Sequence, residues 1–289
     1  SPDLTVRMKN ADVILNIGSR LGEMTTRNYA LLDIPNPKQK LIHVHASAEE
    51  LGSVYYPTLA IHAAPAEFAN AIAERTPQSS TNWDTKKARE EFLDWTNTSK
   101  ADIKADLNPA AIIEFLKEQL PDNAIICNGA GNYTGWIHRY YRFRKFRTQL
   151  APTNGAMGYG VPASVAAKIV HPDRPVVAFA GDGCFMMNGQ ELATAIQYKA
   201  NIIVVVMNNS MFGTIRMHQE RNYPKRVVAT ELQNPDFVAL AKSYGAYGEL
   251  VTETSQFAEA FKRAEASGKP ALIEVKVDKE IISHNTSLS

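Results

Sequence analysis

The stretch FAGDGCFMMNGQELATAIQYKANIIVVVMNNSMFG, residues 179–213, decides the fold. It opens on Gly181-Asp182-Gly183 and closes on Asn208-Asn209, with 24 residues between Gly183 and Asn208. The apolar run PVVAFA (175–180) leads into the first turn, and NIIVVVM (201–207) leads into the amide pair. Fully apolar runs of this length read as strands buried on both faces of a parallel sheet. Residues from about Asn188 to Tyr198 read as the helix of the crossover between them. In such a sheet ligands sit beyond the C-terminal strand ends. The crossover returns the chain to that same edge, so Asp182 can approach Asn209. A carboxylate, an amide oxygen and a backbone carbonyl are hard ligands that suit Mg²⁺, whose remaining positions go to phosphate oxygens and water. The glycines admit backbone N–H groups to a phosphate, and a following helix offers its positive end. The spacing therefore predicts a Mg²⁺-bridged diphosphate. A lone Gly-Asp-Gly is more often an ordinary turn; its place one crossover away from an amide pair gives it weight.

Outward from this stretch, strands and helices alternate. DVILNIG (12–18) and KLIHVHA (40–46) read as strands, and PAEFANAIAE (65–74) as a helix with Pro at its start. They resemble the later half of a Rossmann-like sheet that begins abruptly, as a fragment would. TPQSSTN (76–82) reads as a linker, and the charged run 83–103 as a solvated helix between domains. NPAAIIEFLKEQL (108–120) is an N-capped helix, AIICN (124–128) a strand and GAMGYGVPASVAAKIV (155–170) a small-residue helix. NPDFVALAKSYG (234–245) and SQFAEAFKRAEAS (255–267) read as helices, and ALIEVKV (271–277) as the last strand. The expected fold class is α/β, a parallel sheet with helices on both faces. The expected domains are a partial central Rossmann-like domain (1–80), a linker (81–106) and a diphosphate- and Mg-binding domain (107–289).

The 289 residues carry a formal charge of +1 and 45% hydrophobic residues, so no global field recruits nucleic acid or an anionic membrane. No apolar run reaches the ~20 residues of a membrane span. The start has no signal-peptide pattern. The cysteines are Cys127 and Cys184, which fits a reducing compartment, and a cytoplasmic location is expected.

The motif of residues 181–209 resembles the thiamine diphosphate motif. The chain as a whole is similar to the acetohydroxyacid synthase and pyruvate decarboxylase family, and its diphosphate domain to the thiamine diphosphate-binding fold. QLAPTNGAMGYGVPASVAAK (149–168) resembles the segment that cradles the aminopyrimidine ring, and ADVILNIGSRLGEMTT (11–26) the central domain from its middle onward. The resemblance implies that Asp182, Asn209 and the Met211 carbonyl ligate Mg²⁺. It implies that Gly181, Gly183 and Cys184 line the diphosphate, with the Gly183 and Cys184 N–H groups donating to it. The Gly155 carbonyl and Met157 amide would bond the aminopyrimidine edge, and the Met157 side chain would hold the cofactor in a V. CNGAGNYTGW (127–136) matches the loop at the diphosphate end, which makes Asn132 a further candidate. The family's essential glutamate belongs to an N-terminal pyrimidine-binding domain absent from these residues. A homo-oligomer, dimer or tetramer, is implied, with that domain supplying the glutamate.

The expected activity is 2-oxo acid decarboxylation with carboligation, acetolactate synthase-like. Simple decarboxylation, 2-hydroxy ketone cleavage and a non-catalytic diphosphate-binding module are the alternatives. Two departures bear on this. Authentic acetohydroxyacid synthases carry a Trp nine residues after the ligand Asn; here that place is His218. The flavin-binding synthases carry an Arg-Phe-Asp-Asp-like run where this chain has SRLGEMTT (19–26), so FAD is not expected. His218, Glu220 and Arg221 are candidates for the substrate side. His43 and His45 alternate on one strand face, which suits a metal pair less well than two polar side chains near a vestigial nucleotide site. Cys184 reads as a small residue beside phosphates rather than a nucleophile. HRYYRFRKFR (138–147) reads as a helix end rather than an RNA-binding segment.

Overall fold

A computed structural model describes residues 1–75, 84–284 and 286–287, and the chain divides into two units, Ser1–Trp95 and Thr96–Ser289. Among the described residues no helix is long and apolar enough to cross a membrane.

The first unit contains α1 (Pro2–Lys9), β1 (Val13–Ile17), β2 (Lys40–His45), β3 (Leu59–His62), α2 (Pro65–Ala73) and α3 (Thr85–Trp95). The strands pair in parallel in the order β1-β2-β3. Leu31, Leu32, Leu41 and Tyr55 form its small core. Arg7 of α1 reaches Glu91 of α3 at 2.6 Å. No residue of α3 is buried, as a highly charged helix dictates. The expected strands 12–18 and 40–46 are both present. Strand β3 had no counterpart in the sequence reading, because four residues carry too little periodicity. The linker 76–82 lies outside the described residues. Within the expected linker 81–106, Thr85–Trp95 groups with the first unit and the residues from Thr96 onward with the second.

The second unit runs α4 (Pro109–Gln119), β4 (Ile125–Asn128), α5 (Thr134–Tyr140), β5 (Gln149–Leu150), α6 (Gly160–Val170), β6 (Val176–Gly181), α7 (Asp182–Asn188), α8 (Glu191–Gln197) and β7 (Ile203–Asn208). It continues with α9 (Gly213–Asn222), α10 (Phe237–Ser243), β8 (Tyr247–Val251), α11 (Thr254–Ala266) and β9 (Ala271–Lys276). An antiparallel pair, β10 (Ile281–Ser283) and β11 (Thr286–Ser287), follows. The main sheet has the order β5-β4-β6-β7-β9-β8, parallel throughout.

Side chains alternate across each strand, so the apolar runs supply two cores. Ile126, Val177, Phe179, Val205 and Ile273 face one side, packed against Leu116, Ile137, Phe257 and Phe261 of α4, α5 and α11. Ile125, Ala178, Val204, Val206 and Leu272 face the other, packed against Val165, Phe185, Leu192 and Phe237 of α6, α7, α8 and α10. This double burial is why the strands read as unbroken apolar runs.

Four sequence expectations are corrected. The helix expected over 155–170 begins only at Gly160, because Gly155 (φ +67°) and Gly158 (φ +81°) take left-handed conformations that a helix cannot contain. The crossover helix begins earlier than Asn188: α7 starts at Asp182 directly off the strand, and a break at Gly189 separates it from α8. The helix expected from Asn234 begins at Phe237, where the Asp236 side chain accepts from the Ala239 N–H at 2.8 Å. Strand β8, at the sheet edge, was missed, since its polar alternation is weak, and ALIEVKV is followed by β10 and β11 rather than being the last strand.

Candidate functional site

The spacing of the opening stretch resolves into register. Strand β6 pairs with β7 from Val177↔Ile203 to Gly181↔Met207, so the next residues, Asp182 and Asn208, stand side by side at the ends of the two strands. Past them, Ser210 adopts φ +55° and Met211 bridges to Glu231, which folds the chain back over the strand ends. A cavity of about 290 Å³ opens there. Its lining includes Gly155, Met157, Gly181, Asp182, Gly183, Cys184, Asn209, Met211 and Asn132, nine residues that the sequence singled out from four separate segments.

The loop that precedes α6 is tied to α7 on both sides. The Gly158 N–H donates to Cys184 Sγ at 3.0 Å, and the Gly158 carbonyl accepts from Asn188 Nδ2 at 3.1 Å. A Cβ on Gly158 would stand 2.8 Å from Asn188 Nδ2 and 3.0 Å from Met187 Cβ. We expect Gly158→Ala to destabilise the unit by about 1–2 kcal/mol through the left-handed backbone alone. Chemical denaturation measures it, and an unchanged midpoint would contradict the loop geometry. Cys184 is 3% exposed, and its Sγ also lies 3.4 Å from the Tyr133 hydroxyl. Tyr133 accepts from the Gly129 N–H at 2.9 Å, and burial holds its phenol well above the ordinary tyrosine range. Burial likewise pushes the Cys127 thiol up to about 12.

Asp182 is 2% exposed. Burial raises its carboxyl above the usual range, partly offset by hydrogen bonds from Asn234 and from the Gly183 and Ser210 N–H groups. Among the described residues it makes no ion pair. Its Oδ1 accepts from the Gly183 N–H at 3.0 Å and its Oδ2 from Asn234 Nδ2 at 2.7 Å. The two amides of the pair differ. Asn208 is spent inside the protein: its Nδ2 donates to Glu274 Oε1 at 2.7 Å, and its Oδ1 accepts from the Ser210 N–H at 2.9 Å and from Asn234 Nδ2 at 3.0 Å. Glu274 is in turn paired with Lys276 at 2.6 Å. Asn209 instead lines the cavity, and among the described residues its Oδ1 accepts only a long 3.3 Å contact from the Met211 N–H.

Buried charges in proteins are paired or coordinate metals. Among the described residues no group of three His, Cys, Asp or Glu side chains is placed to hold a metal. Asp182, Asn209 and a main-chain carbonyl are a different donor set, of one charge and three oxygens, which matches a hard cation that shares its shell with a ligand's oxygens. The glycine at 183 fits the same picture: a Cβ there would stand 2.7 Å from Phe212 Cε1.

Residues 129–275 match the family described as thiamine pyrophosphate enzyme, C-terminal TPP binding domain, and residues 1–72 match the thiamine pyrophosphate enzyme central domain. The chain belongs to the thiamine pyrophosphate enzymes. Among curated relatives, it is 30% identical to the acetolactate synthase large subunit of Corynebacterium glutamicum, over 94% of this chain and 45% of the relative. It is 30% identical to the acetolactate synthase large subunit of Lactococcus lactis (93% and 46%) and 28% identical to the sulfoacetaldehyde acetyltransferase of Castellaniella defragrans (89% and 47%). The chain spans about half the length of these relatives. Its α/β fold and its thiamine diphosphate-binding domain are those of the family.

Asn132 lines the cavity, but its amide is engaged: Oδ1 accepts from Thr214 Oγ1 at 3.0 Å, and Nδ2 donates to the Ile282 carbonyl at 3.1 Å. His218 and Arg221 are exposed on α9 and outside the lining; Glu220 accepts from the Lys225 N–H at 2.9 Å. His43 is buried and its Nε2 lies 3.2 Å from the Ser19 carbonyl, while His45 Nδ1 accepts from the Ser47 N–H at 3.0 Å. The basic segment 138–147 leaves α5 at Tyr140, with Arg144 on Asp122 at 3.2 Å. Sequence reasoning missed Tyr133, Asn234 and the apolar Ile281 and Ile282 of the lining. An Asn before Pro carries only a turn signal, and nothing local shows that it reaches another strand's end.

Proposed function

We propose that this chain is the central and diphosphate-binding part of a thiamine diphosphate- and Mg²⁺-dependent enzyme, one that decarboxylates a 2-oxo acid and joins the remaining fragment to a second carbonyl compound. The observation that carries the reading is the in-register delivery of Asp182 and Asn209 to one cavity, with the Asp182 carboxylate buried and, among the described residues, without an ion-pair partner. The acetolactate synthase relatives support the carboligating branch. Asp182, Asn209 and the Met211 carbonyl hold Mg²⁺ in this reading. The Cys184 N–H would face the diphosphate, as would the Gly183 N–H once it leaves Asp182 Oδ1, and Gly155 and Met157 would face the aminopyrimidine. Thiamine diphosphate, when bound, supplies the nucleophilic carbon and the electron sink. The protein's own contribution is orientation and charge. Gly158, held by Cys184 and Asn188, fixes the loop that carries Met157, and Asn208, spent on Glu274, leaves Asn209 as the amide that faces the site. Phe212, Ile215, Ile281 and Ile282 give the cavity an apolar wall. The glutamate that faces the pyrimidine lies outside these residues, in a pyrimidine-binding domain of a homo-oligomer.

The test supplies the full-length protein with thiamine diphosphate, Mg²⁺ and a panel of 2-oxo acids, alone and in pairs. The expected result is CO₂ release that stops when Mg²⁺ is chelated, with a condensed 2-hydroxy-2-oxo-type product. CO₂ with a free aldehyde as the sole product would replace carboligation by simple decarboxylation. Cofactor binding without any turnover would leave a non-catalytic module.

A further inference from the structure

We propose that Asn234 is a positioning residue for the cation: it holds the Asp182 carboxylate in one orientation and sets the separation between the ends of β6 and β7. The proposal rests on the Mg²⁺ reading given above.

An Asn side chain has two amide N–H bonds, and here both are committed. One goes to Asp182 Oδ2 at 2.7 Å, the other to Asn208 Oδ1 at 3.0 Å. The two acceptors stand at the ends of neighbouring strands, so a single amide group clamps them. A carboxylate has two equivalent oxygens and a broad, nearly two-fold torsion about Cβ–Cγ. Left to itself Asp182 could present either oxygen, or both, to a cation. With Oδ2 held by Asn234 and Oδ1 by the adjacent Gly183 N–H, that torsion is fixed, and each oxygen keeps a lone pair for a cation. The same clamp completes the coordination of Asn208 Oδ1, already accepting from the Ser210 N–H and hydroxyl. That keeps Asn208 turned inward and leaves the ligand role to Asn209.

Asn234 itself stands on a stiff base. It precedes Pro235, which confines its backbone to extended conformations. Asp236 then caps α10, whose Phe237 and Ala241 are fully buried. The donor is thus anchored to the core by α10, whose Phe237 packs edge-on against Phe185 of α7. Groups that orient a metal ligand in this way typically cost about 10–100-fold in metal affinity when removed.

The experiment is a Mg²⁺ titration of the full-length protein at fixed thiamine diphosphate, with bound cofactor measured by equilibrium dialysis. Wild type is compared with Asn234→Ala and Asn234→Ser. In Asn234→Ala the half-saturating Mg²⁺ is expected to rise about 10–100-fold, with full binding restored at high Mg²⁺. Asn234→Ser keeps one donor and is expected to fall between; it also carries the test if the alanine variant does not fold. The same half-saturating Mg²⁺ in the variants as in wild type overturns the role of Asn234 and leaves the Mg²⁺ site intact. A loss of cofactor binding that no Mg²⁺ concentration restores marks a merely structural residue and also overturns it. Wild type that binds the cofactor without regard to Mg²⁺ overturns this proposal together with the reading beneath it.

Discussion

Asp182→Ala is expected to lower Mg²⁺-dependent retention of thiamine diphosphate by about a thousandfold. The carboxylate is 2% exposed, is held above its usual pKa range by burial, and makes no ion pair among the described residues. It is therefore a charge whose desolvation is only partly offset by hydrogen bonds until a cation arrives. Removing one partner of a close, desolvated charge pair costs about 2–5 kcal/mol, and 4 kcal/mol is about a factor of a thousand. The ligand-free protein is expected to melt at nearly the same temperature, because the substitution removes the desolvated charge along with its hydrogen bonds. Asp182→Asn keeps the shape and is expected to lose retention as well. Dialysis against Mg²⁺-containing buffer, followed by cofactor quantification, measures the effect. Retention equal to wild type in both variants would sink the metal assignment.

The second large effect is expected at Arg216. Its side chain is 10% exposed and its guanidinium pairs with Glu280 through both oxygens, at 3.0 and 2.9 Å, while Nη1 donates to the Lys279 carbonyl at 2.9 Å. These bonds fasten the segment after β9 onto α9, and that segment brings Val277, Ile281 and Ile282 to the cavity. Breaking a buried pair from one side costs about 3–5 kcal/mol; Glu280 is a third exposed, which keeps the value near 3 kcal/mol. Arg216→Met is therefore expected to lower the stability of the second unit by that amount and to open the segment to trypsin after Lys279. Cofactor retention should drop with it, since part of the apolar wall leaves. Stability and cleavage both unchanged would mean that the segment is held by Asn132 on the Ile282 carbonyl instead.

The parts of this molecule that were legible in its sequence are those with strong local signals. The doubly buried strands β6 and β7 announce themselves by composition, and Asn108 marks the start of α4 by a cap that the structure shows, with its side chain accepting from the Ala110 N–H at 2.9 Å. The short or edge strands β3 and β8 lack such a signal. The loop at 155–158 was read as helix because its small residues suit one; the left-handed glycines that forbid it leave no trace in composition. The nine cavity-lining candidates came from a motif and a resemblance together, and they do meet in space. Asn234 was out of reach for a different reason. Its partners are 52 and 26 residues away in the chain, and no periodicity relates them.

The β6–β7 register has a consequence for what may count as the signature of such a site. The number of residues between Asp182 and Asn209 is set by the crossover, which lies away from the strand ends. The turn at Tyr198–Ala200, where Lys199 takes φ +52°, is one place where that number could change without touching the site. What may not change is phase. One residue inserted within β7 would exchange the faces of Asn208 and Asn209, sending the engaged amide toward the cavity and the ligand amide toward Glu274. Spacer length is thus a loose variable and phase a strict one, so a search for this site is better written in terms of strand parity than of residue count.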